Sequence, residues 1–106
     1  MARNPPAGDD RWISTFLEAQ AADAGSARNT LLAYGRDLKD FAGWLAHRGQ
    51  SFAKAAQSDV EGYLVSCDAN GLSRATRARR LSAIRQLYRF AYDEGWRTDN
   101  PALRLT

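Results

Sequence analysis

The chain is 106 residues long, 44% hydrophobic and 25% charged, with one Cys, three Pro and eight Gly. That length supports one modest core, and the apolar share excludes wholesale disorder. No window approaches a membrane-spanning apolar run, the first ten residues lack the stretch of a signal peptide, and a lone Cys67 can form no internal disulfide. These features imply a soluble, cytoplasmic protein of a reducing compartment, with no membrane partner, no structural zinc and no cofactor.

The net charge of +3 hides an asymmetry. Residues 1–70 hold seven Lys/Arg against nine Asp/Glu, whereas residues 71–106 hold eight Arg against three acids. From Arg74 to Arg89 there are six Arg and no acid. A one-signed stripe repels itself and points to an anionic partner. The planar fork of arginine, which pairs bidentately with phosphate and guanine edges, leans toward nucleic acid.

Residues 1–9 read as a flexible arm, with Pro5, Pro6 and Gly8 and little to bury. Asp9 or Asp10 stands where a first helix needs an N-cap, ahead of Trp12, Ile13, Phe16, Leu17 and Ala24 at helical spacing, and Gly25 ends it. The second helix runs from Ser26 to Arg48, with Ser26 or Asn29 as cap and Gly49 as stop. Leu31, Tyr34, Leu38, Phe41 and Leu45 form its apolar stripe, and Gly35 inside it suggests close backbone packing. Residues 50–57 form a connection in which Phe52 plugs the edge of the core.

Ser58 or Asp59 caps a short third helix carrying Val60, Tyr63, Leu64 and Cys67, and Asn70-Gly71 stops it. Ser73 caps a fourth helix that runs to Glu94-Gly95 and buries Leu81, Ile84, Leu87, Tyr88, Ala91 and Tyr92. Trp96 folds back onto the bundle and Asn100-Pro101 breaks the chain. Four helices and no strand give an all-α bundle comprising residues 10–106.

Catalytic apparatus is hard to place. His47, the only histidine, sits at a helix C-terminus, where the dipole accounts for it. With its only histidine so accounted for, the chain offers no base for a Ser-His-Asp or Cys-His pair, and Cys67 lies on an apolar stripe as an inert thiol. Asp9/Asp10 belong to a cap and Asp37/Asp40 to a solvated face. What remains is the outer face of the fourth helix: Ala75, Ala78, Arg79, Ser82, Arg85, Gln86 and Arg89. Small residues there let the backbone approach a polyanion, the arginines reach phosphates, and Ser82 and Gln86 are short polar readers. Thr76 and the first N–H groups of the helix add a phosphate-binding end. Asn29, Ala33 and Arg36, flanked by Arg28 and Lys39, offer a second surface on the second helix.

Two segments carry a resemblance. Ser26-Ala-Arg-Asn-Thr-Leu-Leu-Ala-Tyr-Gly-Arg-Asp-Leu-Lys-Asp-Phe41, followed by Trp44-Leu-Ala-His-Arg-Gly49, resembles the second helix of the N-terminal core-binding domain of Xer-type tyrosine recombinases. Leu72-Ser-Arg-Ala-Thr-Arg-Ala-Arg-Arg-Leu-Ser-Ala-Ile-Arg-Gln-Leu-Tyr-Arg-Phe-Ala-Tyr92 resembles the fourth helix of that domain, and Glu94-Gly95-Trp96 with Asp99-Asn100-Pro101-Ala102 its exit. The resemblance covers about residues 10–105.

It implies a SAM-like orthogonal four-helix bundle that forms half of a clamp around a recombination half-site, with the second and fourth helices across the major groove. By position, Arg28, Asn29, Thr30 and Arg36 would serve the second-helix contact, and Arg74, Thr76, Arg77, Arg79, Ser82, Arg85 and Gln86 the fourth. Arg79 stands in both this set and the outer face, whereas Arg80 falls on the flank.

The family's nucleophilic tyrosine and Arg/His cluster belong to a C-terminal domain absent from this chain, so the chain itself is expected to be non-catalytic. The parent would cleave and religate DNA through a phosphotyrosyl intermediate, as in chromosome dimer resolution, within a tetramer of recombinase protomers. Trp12 or Phe16 could touch a neighbouring protomer, although burial in their own bundle fits them better. Two other readings stay open: a helical adaptor that binds protein, and a free-standing helix-turn-helix regulator. The connection at 50–57 makes the second awkward.

Overall fold

A computed structural model describes residues 4–23 and 27–105. It contains α1 (Asp9–Ala22), α2 (Arg28–His47), α3 (Gln57–Ala69) and α4 (Arg74–Asp93), and no strand among the described residues. The expected roles of Ala24, Gly25 and Ser26 at the α1–α2 junction lie outside the described residues, as do residues 1–3 of the arm and Thr106.

Helix ends follow the expected stops more closely than the expected starts. Gly49 and Gly71 take the left-handed conformation after α2 and α3, with φ of 71° and 80°. Ser73 caps α4, its Oγ accepting the Thr76 N–H at 3.1 Å. The other three N-caps are Gly8, Ala27 and Ala56, rather than the neighbouring Asp, Asn or Ser. The acids sit instead within the first turn, where the helix dipole favours them. There Asp59 Oδ2 accepts the Ala56 N–H at 2.9 Å, and Asp9 Oδ1 reaches across the chain to the Phe52 N–H at 3.0 Å.

The core gathers Trp12, Ile13 and Phe16 of α1, Leu38, Phe41 and Leu45 of α2, Val60 and Tyr63 of α3, and Ile84, Leu87, Tyr88 and Ala91 of α4. Phe52 stands at its centre rather than its edge. Its ring is fully buried and lies 5.7 Å from Phe41, 6.0 Å from Trp12 and 6.4 Å from Tyr88, centroid to centroid. The carbonyl of Phe52 accepts from the Tyr88 hydroxyl at 3.0 Å and from Arg97 Nη1 at 2.9 Å.

Trp96 folds back as expected, 5.0 Å from Trp12 and 5.2 Å from Phe90. Trp12 also donates to the Pro6 carbonyl at 3.1 Å, which ties residue 6 to α1. Gly35 is buried, and a Cβ there would meet Leu17 Cδ1 at 3.1 Å, so the glycine lets α1 approach α2.

One face differs from expectation. Tyr92 is 53% exposed and Leu81 only half-buried, whereas Ala83 is fully buried. The buried stripe of α4 is therefore turned by roughly 40° from the expected one, toward the side on which Ala83 lies.

Removing the central ring should be severe: Phe52→Ala should lower the unfolding free energy by about 3–5 kcal/mol. Urea denaturation followed by circular dichroism checks this, and a loss below about 1 kcal/mol would contradict the placement of the ring.

Candidate nucleic-acid interface

The surface begins where α2 and α4 are joined. The Tyr34 hydroxyl lies 3.0 Å from Ser82 Oγ, and one turn away Asp37 meets Arg79. That second contact is bidentate: Arg79 donates from Nε to Asp37 Oδ2 at 2.8 Å and from Nη2 to Oδ1 at 3.0 Å. Arg80 brings its Nε to 3.7 Å from the same carboxylate. Its Nη1 donates to Asp40 Oδ2 at 2.8 Å and to the Tyr63 hydroxyl at 2.9 Å. Tyr63 in turn donates to Asp40 Oδ2 at 2.6 Å. Burial first, and then this bond to Asp40, pushes the Tyr63 phenol well above its ordinary pKa and keeps it protonated.

One expectation is corrected here. Asp37 is not on a solvated face; it is only 3% exposed, because it lies on the flank of α2 that meets α4. Arg79 is exposed, with 45% of its side chain accessible, but two of its nitrogens are bound by Asp37.

Arg77 also has a partner, Asp68 of α3, at 3.2 Å. Ser82 is engaged with Tyr34, and the Thr76 N–H is taken up by Ser73 rather than open to a ligand. Half of the acid-free arginine run is thus answered by acids on other helices. The i,i+4 pattern within α4 could not reveal such pairing.

The other half is open. Arg74, Arg85 and Arg89 are exposed and have no carboxylate partner among the described residues, and Gln86 is exposed beside them. All four line one groove of about 1310 Å³, together with Arg77, Ala78, Ser82 and two acids, Asp93 and Asp99, the latter bound to Arg97. On α2, Arg28, Asn29, Thr30 and Arg36 are exposed, and no carboxylate pairs with Arg28 or Arg36 among the described residues. The Tyr34–Ser82 and Asp37–Arg79 contacts bring this half of α2 against the middle of α4, so the two sets flank one junction.

Sequence reasoning missed Asp37, Asp40, Tyr63 and Arg80 as the polar joint beneath this surface. The available signal was one-sided: a run of bases on α4 with no acid among them, whose partners had to be sought on other helices.

Elsewhere the side chains serve the fold. His47 is exposed in the last turn of α2, where its placement suits the helix dipole, and Cys67 is buried. The hydroxyls of Tyr34, Tyr63 and Tyr88 are each engaged within the bundle. Trp12 and Phe16 are buried in their own core. No helix among the described residues is long and apolar enough to cross a membrane.

Residues 13–95, nearly all of the four helices, match the family described as phage integrase, N-terminal SAM-like domain. The chain belongs to that family. Its four-helix architecture is accordingly the SAM-like one. Among curated relatives, the tyrosine recombinase XerD of Caulobacter vibrioides is 48% identical over 96 residues, a match covering 91% of this chain and 32% of that protein. XerD of Agrobacterium fabrum is 44% identical over 102 residues, covering 95% of this chain and 31% of the relative. For XerD of Rhizobium meliloti the values are 43% over 90 residues, 85% and 29%. The chain thus spans under a third of the length of the recombinases that it matches.

The two classes of arginine should separate in a stability measurement. Arg80→Met, which strips Asp40 and Tyr63 of a shared donor, should lower the unfolding free energy by about 2–3 kcal/mol. Arg85→Met should change it by less than about 0.5 kcal/mol. Equal effects in urea titrations would contradict the division between joint and open surface.

Proposed function

We propose that this chain is the DNA-holding, core-binding domain of a site-specific tyrosine recombinase of the XerD type. It grips a recombination half-site with α2 and α4. The observation that carries this reading is the set of exposed guanidiniums of Arg74, Arg85 and Arg89, unanswered by carboxylates among the described residues and gathered with Gln86 on one groove. A cluster of unpaired, solvated cations on one face is the electrostatic footprint of a polyanion. Membership in the integrase family and the names of the relatives supply the class of polyanion.

Within this reading, Arg28, Arg36, Arg74, Arg85 and Arg89 neutralise phosphates. Asn29, Thr30, Thr76 and Ser82 are polar contacts that set register, and Gln86 reads base edges. Arg77 exchanges its exposed partner Asp68 for phosphate; such surface pairs hold weakly, and its contribution is correspondingly small. Strand cleavage through a phosphotyrosyl intermediate, exchange and religation are the work of the whole recombinase, acting with partner protomers as a tetramer. This domain contributes position rather than a nucleophile.

Binding of mixed-sequence duplex should be weak and should fall steeply with added salt, by about 0.9 in log K per log salt for each phosphate neutralised. Arg85→Ala and Arg89→Ala should each reduce that slope by about 1. Titrating labelled duplex at several salt concentrations decides the matter. Absence of binding at low salt, or indifference to salt, would favour a protein-binding adaptor instead.

A separate measurement concerns Gln86. Gln86→Ala should narrow the affinity gap between a cognate and a scrambled half-site by about 1–3 kcal/mol while leaving the salt slope unchanged. Equal affinities in the unaltered protein would remove its reading role.

A further inference from the structure

The geometry points to Asp37 as a positioning residue for DNA: it holds Arg79 so that the free edge of the guanidinium meets a phosphate. This inference rests on the DNA-binding reading above. Asp37 is 3% exposed while the Arg79 side chain is 45% exposed, so the pair has one face in the protein and one in solvent. The carboxylate takes Nε and Nη2 in a fork at 2.8 and 3.0 Å. That fork fixes the plane of the guanidinium and leaves Nη1 without a hydrogen-bond partner among the described residues.

An arginine held in this way has already lost its rotamer freedom on folding, so a phosphate need not order it again. By helix spacing, Arg79 shares a row with Ser82 and Gln86, and the Tyr34–Ser82 contact sits one turn away, so the held edge lies on the junction that both helices present. Arg80, with Asp40 and Tyr63 on its Nη1, is anchored separately and only approaches Asp37.

This role has a sign that simple electrostatics does not share. Asp37→Asn removes a negative charge next to the proposed polyanion site, which by charge alone should strengthen binding. If Asp37 acts by holding Arg79, the same substitution weakens binding.

The test uses the full chain and a fluorescently labelled mixed-sequence DNA duplex at low salt, with thermal melting of every variant. Asp37→Asn should weaken binding about two- to tenfold, the loss expected when a long side chain must be ordered anew. In an Arg79→Ala background the same substitution should produce no loss, because the residue it acts through is gone. Arg79→Lys keeps the charge but loses the planar fork, and should weaken binding to a similar degree.

Unchanged or tighter binding by a folded Asp37→Asn variant overturns the inference while leaving the DNA-binding reading intact. An equal loss in the Arg79→Ala background also overturns it, as general damage to the surface. If Asp37→Asn does not fold, Arg79→Lys decides, and wild-type affinity there overturns the inference. Failure of the unaltered chain to bind duplex removes the DNA-binding reading itself, and this one with it.

Discussion

The structure depends on one carboxylate out of water. Asp37 is buried on α2 between two arginines of α4, and an uncompensated charge in that place would cost several kcal/mol. Once the acid is buried, the arrangement of the two helices has little freedom left, because only a fork-shaped donor at the right height satisfies both oxygens. Lysine could supply the charge but not the plane. Such buried pairs contribute less to stability than to geometry, since well-packed apolar residues often serve stability as well. Here the geometry concerns the two helices that carry the exposed cations.

The acid-free arginine run of α4 consequently has two uses. Arg77, Arg79 and Arg80 face acids on α2 and α3, while Arg74, Arg85 and Arg89 face solvent. The inner set draws neighbouring helices together, and this brings the outer set onto one groove. The wheel alone does not separate the two uses: Arg80 lies near the centre of the buried face and Arg85 and Arg89 on the far side, but Arg74 and Arg79 stand about equally far from that centre, one paired and one not.

Most of the architecture was legible because burial in helices leaves a periodic trace. The 3,4 spacing of Leu31, Tyr34, Leu38, Phe41 and Leu45 specifies one face of α2 whatever packs against it. Left-handed stops at Gly49 and Gly71 are equally local. The burial of Asp37 has no local trace, because its partner is 42 residues away and the residues beside it in sequence include solvated charges. A wheel places Asp37 about 80° from the centre of the apolar stripe, a flank that is buried or solvated according to the neighbouring helix. Tyr92 was misplaced for the same reason: at the margin of the stripe, the choice between Ala83 and Tyr92 was settled by how closely other helices approach. Of the surface itself, the sequence disclosed the sign and the helix, while the division of labour among its arginines required the neighbours.

Phe52 lies in no helix, yet its ring touches residues of α1, α2 and α4, its amide is held by Asp9, and its carbonyl by Tyr88 and Arg97. A keystone drawn from a connecting segment cannot seat itself until the first helix and the stretch beyond the last have both arrived. The contacts that Phe52 makes with Trp12, Tyr88 and Arg97 each span 36 residues or more, so the centre of the core closes only when distant parts of the chain have met. Backbone amides beside this ring should consequently be among the slowest to open to solvent, while the helix ends fray earlier.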